Sequence, residues 1–269
     1  MKDRLPIGTP VLCVGIDPHR SVLEAWGVAD SGEGLGQFVH TIVPLILDSG
    51  CSVVKPQVAF FERHGLAGMR ALAVLLGDLR SHGIVTIGDA KRGDIGSTME
   101  GYAEAWLTPG SDFEVDALTV VPYQGVGALE PVLALAAEHS KGVFVLSATS
   151  NPEAWETQRA MRADGFAVAS SVVRDLASWV AGHPSTVSTH GVVLGATLTS
   201  ADFGIDMTDY PGMPILAPGF GHQGAALSSA KSLFPETSPV VAVVARSVLL
   251  RGDEGFVDAV QSAESELSS

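Results

Sequence analysis

Ile84-Val85-Thr86-Ile87-Gly88-Asp89-Ala90-Lys91-Arg92-Gly93-Asp94 opens as an apolar, β-branched run and closes in four charged residues. The first part reads as a buried strand. Side chains two apart on a strand share a side, so Asp89 and Lys91 point the same way. Asp94 falls in the turn that opens the following helix. An ion pair followed by a helix-capping aspartate is the plain reading of such a stretch. Yet a carboxylate–ammonium–carboxylate cluster at a strand end is costly to bury unless it is used. Acids on either side also keep an amine cationic, as a proton donor requires.

Working outward, the same pattern recurs along the chain. Strands are expected near Val11–Asp17, Ser52–Pro56, Ile84–Lys91, Ala117–Pro122, Val143–Ser150, Val192–Thr197, Ile215–Gly219 and Val240–Arg246. Ala/Leu-rich stretches with helical spacing, such as Leu66–Arg80 and Leu129–His139, lie between them. Eight strands alternating with helices, with no break in composition, predict a single (β/α)₈ TIM barrel spanning residues 1–269. Periodicity leaves a doubly wound open sheet as the alternative. The glycine-rich Ser31–Gly36 reads as a loop, with spacing unlike a dinucleotide fingerprint.

Polar residues collect where these strands end. Asp17 closes the first, Lys55 the second, and Asp89 and Lys91 the third. Ser150 ends the fifth, Gln223 follows the seventh and Arg246 ends the eighth. In a (β/α)₈ barrel those ends form one rim, where active sites are built. The Pro218–Gly224 loop adds glycines that let backbone N–H groups approach an anion, and Arg246 adds a fork matched to phosphate oxygens. Loops after strands seven and eight are the usual phosphate site of barrels. A flexible turn beside a structural arginine is the plainer reading of the same residues.

Composition narrows the function. A net charge of −14 argues against a general nucleic-acid binder. Cys13 and Cys51 sit in apolar runs and make neither a disulfide framework nor a metal knuckle. The opening MKDRLPIGTP lacks a signal-peptide stretch, and no segment nears the ~18 uninterrupted apolar residues of a membrane span. A cytoplasmic, soluble protein without a membrane partner is expected. The eight histidines show no metal-ligand spacing, and no Gly-x-Ser-x-Gly elbow occurs. No metal and no cofactor are expected.

The Asp89–Thr98 segment, DAKRGDIGST, resembles the signature of the orotidine 5′-phosphate decarboxylase family, in its bacterial branch of longer chains. VGIDP at 14–18, VKPQVAFFE at 54–62, TSNP at 149–152 and APGFGHQG at 217–224 are similar to that family's motifs and follow in its order. The resemblance implies cofactor-free conversion of orotidine 5′-monophosphate to uridine 5′-monophosphate and CO₂, in pyrimidine biosynthesis. It makes Lys91 the central catalytic group, within an array of Lys55, Asp89, Lys91 and Asp94. Asp17 would contact the sugar, Ser150 the pyrimidine edge, and Pro218, Gly219, Gln223 and Arg246 the phosphate. It further implies a homodimer in which Asp94, Ile95 and Thr98 enter the partner's site. Glu153 departs from the glycine common after Asn-Pro in the family, and Thr149 is a possible substitute for Ser150. His222 reads as a variable loop residue. A metal-dependent phosphosugar lyase such as a hexulose-phosphate synthase, and a non-catalytic phosphonucleotide sensor, are the competing readings.

Overall fold

The computed structural model describes residues 6–183 and 190–269. Eight parallel strands close on themselves in sequence order: β1 (Val11–Ile16), β2 (Val53–Pro56), β3 (Val85–Arg92), β4 (Ala117–Val120), β5 (Gly142–Ala148), β6 (His190–Leu194), β7 (Ile215–Pro218) and β8 (Val240–Val244). β8 returns to pair with β1, Val241 opposite Val11 and Val244 opposite Val14. That closure excludes the open sheet and makes the fold a (β/α)₈ barrel.

Strand periodicity sorts the core into two shells. Leu12, Val14 and Ile16 face outward into the layer beneath the helices, whereas Cys13 faces the barrel axis. Val53, Val85, Ile87, Ala117, Phe144, Val193, Leu216, Val241 and Val243 fill the axis with it. Both cysteines are buried free thiols, and burial pushes the Cys51 thiol up to about 11.

Several strands stop earlier than the sequence suggests. β5 ends at Ala148 and β8 at Val244, so Ser150 and Arg246 lie just past their strands on the rim. Helix Gly65–Ser81 and helix Glu130–Glu138 occupy the predicted helical stretches. Ser31–Gly36 is a correction. It is no loop but the start of an 18-residue helix, Gly32–Ser49, whose N-cap Ser31 accepts a hydrogen bond from the Gly34 amide. The glycines are there for close packing. A Cβ at Gly34 would lie 2.0 Å from the Ala29 carbonyl oxygen, and one at Gly32 would lie 2.4 Å from the Ala67 Cβ. Among the described residues, no helix is long and apolar enough to cross a membrane.

Candidate active site

The period that packs the axis also builds the site. Above Val53 on the inward side of β2 comes Lys55; above Val85 and Ile87 on β3 comes Asp89; above Ala117 on β4 comes Thr119. Apolar layers thus give way to charged ones toward the C-terminal rim. There a cavity of about 330 Å³ opens, with residues from all eight strands or the loops that follow them. Leu146, Val193, Leu216 and Val243 form its apolar floor.

Asp89 is the centre of the charged layer. One carboxylate oxygen lies 2.7 Å from the Lys55 ammonium and the other 2.6 Å from the Lys91 ammonium. Lys91 also donates to the Gln57 side-chain oxygen at 3.3 Å. Burial alone would raise the Asp89 pKa, but the two lysines reverse this and hold it at about 2. For Lys55, burial would lower the pKa, and the Asp89 and Asp17 carboxylates outweigh that and hold it above the ordinary lysine value. The two lysines differ in access. Both line the cavity, but the Lys55 side chain is 6% exposed and that of Lys91 is 41% exposed.

The backbone at Lys91 is unusual. Its φ of 48° lies in the left-handed region, which side-chain-bearing residues rarely adopt. The cause is an irregularity in the β3–β4 ladder: Gly88 pairs with Leu118, and the next pair is Arg92 with Val120. Asp89, Ala90 and Lys91 therefore face Thr119 alone. The Thr119 hydroxyl accepts from the Lys91 amide at 3.0 Å and donates to Asp89 at 2.9 Å.

Asp17 sits at the cavity wall beside this array. The helix after it, Arg20–Ala25, begins behind His19 and takes no side-chain cap, so Asp17 does not serve as one. Its Oδ1 is buried and has no hydrogen-bond partner among the described residues. A buried acceptor of this kind fits a ligand hydroxyl. The His19 ring packs on Phe60 at 4.0 Å, and Arg63 donates to the Pro18 carbonyl at 3.2 Å, which ties the loop after β1 to the one after β2.

Across the mouth, Pro218, Gly219, Phe220, His222 and Gln223 face Arg246. The Arg246 guanidinium has no ion-pair or hydrogen-bond partner among the described residues. Gly221 must be small: its φ is 70°, and a Cβ there would lie 2.7 Å from the Ser247 hydroxyl. An uncommitted guanidinium beside a glycine loop can accommodate an anion.

The comparisons with known proteins point the same way. Residues 10–255 match the family described as orotidine 5′-phosphate decarboxylase / HUMPS. The chain belongs to this family. The orotidine 5′-phosphate decarboxylase of Corynebacterium efficiens is 44% identical over 248 residues, covering 90% of this chain and 86% of that one. That of Salinispora tropica is 45% identical over 244 residues, with the same coverage. The crystal structure of a candidate orotidine 5′-phosphate decarboxylase from Streptomyces avermitilis superposes with a TM-score of 0.85 at 42% identity, over 96% of this chain and 90% of that one.

Measured against the orotidine 5′-phosphate decarboxylase signature, the cavity gathers Asp17, Lys55, Asp89, Lys91, Ser150, Pro218, Gly219, Gln223 and Arg246. It does not gather Asp94, Ile95 or Thr98. The Asp94 carboxylate accepts from the next amide, that of Ile95, at 2.8 Å, and makes no contact with Lys91. Within this chain, Lys91 is thus held by one acid, Asp89, and the Gln57 amide, not by two acids. Ile95 is 60% exposed and Thr98 is exposed too. Thr149 is engaged elsewhere: its hydroxyl donates to Asn151 at 2.8 Å and accepts from Gln158 at 2.9 Å. Asn151 in turn donates to Glu153 at 3.0 Å, so Glu153 braces the TSNP turn. Ser150 stays exposed at the mouth.

Gln57, Thr119, His19 and Phe60 line the cavity without having been singled out in the sequence. Gln57 lies inside the VKPQVAFFE motif, two residues beyond Lys55, and that spacing was a usable signal. Thr119 gave none. Among the described residues, no group of three or more His, Cys, Asp or Glu side chains is placed to hold a metal ion.

Proposed function

We propose that the cavity binds orotidine 5′-monophosphate and releases uridine 5′-monophosphate and CO₂, with Lys91 facing the reacting carbon. One observation carries this reading: an accessible ammonium, clamped 2.6 Å from a buried carboxylate, shares a cavity with an uncommitted arginine beside a glycine loop. The bond from C6 to the carboxylate carbon breaks, and its electron pair stays on C6 in the plane of the ring. The ring's π system cannot delocalise that pair. A fixed cation beside C6 stabilises it, and the same ammonium then delivers a proton to C6. Asp89 anchors the ammonium and sets negative charge near the substrate carboxylate, a stress that departure of CO₂ relieves. Lys55 holds Asp89 and reaches the ribose, Asp17 takes a sugar hydroxyl, and Ser150 meets the pyrimidine edge. Pro218, Gly219, Gln223 and Arg246 hold the phosphate, whose binding energy organises a site remote from it.

The purified protein should consume orotidine 5′-monophosphate, followed by absorbance, at the same rate with and without EDTA. Absence of conversion overturns the reading. Loss of activity to the chelator would instead favour a metal-dependent phosphosugar-type lyase, and nucleotide binding without turnover a sensor.

The reading extends to a homodimer. Asp94, Ile95 and Thr98 lie on the rim outside their own protomer's cavity, where they are free to complete a partner's. Protomers carrying Lys91→Ala and Asp94→Ala, each inactive alone, should recover part of the activity when mixed. No recovery counts against shared sites.

A further inference from the structure

We propose that Thr119 is a positioning residue that fixes the Lys91 ammonium over the reacting carbon. The inference rests on the reading of Lys91 and Asp89 given above. It starts from the count of residues across the β3–β4 ladder. Between the pairs Gly88–Leu118 and Arg92–Val120, β3 supplies three residues and β4 supplies one. A regular strand would offer main-chain carbonyls to the amides of that stretch, and the irregularity removes them. The Lys91 amide is instead taken by a side chain, the Thr119 hydroxyl at 3.0 Å. Left without that acceptor, a half-buried amide would carry the cost of an unpaired donor on top of the left-handed φ of 48°.

The same hydroxyl has one proton to give, and it gives it to Asp89 Oδ1 at 2.9 Å. That oxygen is also the one that receives the Lys91 ammonium at 2.6 Å. Thr119 therefore closes a ring. It holds the backbone of Lys91 with its lone pair and the carboxylate that grips the end of the Lys91 side chain with its proton. Both ends of a long, flexible side chain are thus referred to one buried hydroxyl, itself 1% exposed on the β-barrel's inner side. Lysine carries substantial rotamer freedom, and a point charge acts on a forming carbanion only when held in place. The threonine touches neither breaking bond nor forming bond; it acts through its two neighbours.

Thr119→Val keeps the shape and removes the hydroxyl, whereas Thr119→Ser keeps the hydroxyl. If wild-type protein turns over orotidine 5′-monophosphate, the valine variant should lose about 10–100-fold in kcat, the range for a misplaced catalytic group. Its affinity for uridine 5′-monophosphate should stay within about threefold, because the phosphate and sugar contacts are elsewhere. The serine variant should stay within about threefold of wild type in both. Thr119→Ala, which adds no apolar bulk, replaces valine if the valine variant melts below the assay temperature. A valine or alanine variant with wild-type kcat overturns the proposal. So does a serine variant as slow as valine, which would assign Thr119 a packing role. An inactive wild type is a different outcome and would overturn the parent reading instead.

Discussion

Lys91→Ala is expected to lower kcat by about 10⁴-fold or more while uridine 5′-monophosphate still binds within a few-fold of wild type. In the proposed mechanism two separable contributions meet in this one side chain. Loss of a preorganised group facing developing charge costs roughly 10²–10³ in rate, and loss of a positioned proton donor roughly 10²–10⁴. Acting on the same atom, they need not multiply fully, so the lower end of their product is the expectation. Binding should be spared because the proposed phosphate contacts belong to other cavity residues, Pro218, Gly219, Gln223 and Arg246. Stability should be spared too. The Lys91 side chain is 41% exposed, and its removal leaves Asp89 still paired with Lys55 at 2.7 Å. Steady-state kinetics, nucleotide titration by calorimetry and a thermal melt check the three statements in turn. Retained turnover would remove Lys91 from the chemistry.

Asp89→Asn should act on both stability and rate. The substitution leaves Lys55, whose side chain is 6% exposed, without its carboxylate. Breaking a buried pair by removing one member costs about 3–5 kcal/mol. At about 2–4 °C per kcal/mol, this lowers the melting temperature by roughly 6–20 °C. Turnover should fall by roughly 10²–10³, since the Lys91 ammonium loses its anchor. The pH dependence carries a sign. Asp89 has a folded-state pKa of about 2, below its unfolded value near 3.9, so its contribution is complete above the unfolded value and is lost as pH falls through the folded one. The gap in melting temperature between wild type and variant should stay level from about pH 5 to 8 and narrow as pH falls below about 4. A gap unchanged at pH 3 would mean that the carboxylate charge is not what stabilises the barrel.

Much of this architecture is legible in the sequence because charge inside an apolar run has few explanations. Lys55 and Asp89 follow Val53, Val85 and Ile87 on the inward faces of their strands, and period two places them on the axis above those residues. Eight alternating strand and helix runs point to a barrel, and the pairing of β8 with β1 excludes the open sheet that periodicity leaves as the alternative. What sequence hides are features made by two segments at once. Thr119 in Ala117–Val120 is an ordinary strand former, and its task exists only because β3 runs three residues against its one. The helix Gly32–Ser49 begins in glycines that look like a loop, and only the closeness of Ala29 and Ala67 shows why larger residues are excluded. Asp94 reads as Lys91's second acid from its spacing alone, yet the turn directs its carboxylate to the Ile95 amide.

Everything proposed for the chemistry requires the ammonium of Lys91 to face the carbon that loses CO₂. A crystal structure of the protein with uridine 5′-monophosphate measures this directly. With the phosphate against Arg246, the Lys91 Nζ should lie about 3–3.5 Å from C6 of the pyrimidine, the separation of groups poised to react. A nucleotide bound in the cavity with C6 turned toward Ser150, and Nζ beyond hydrogen-bonding reach of it, would remove Lys91 from the reacting carbon.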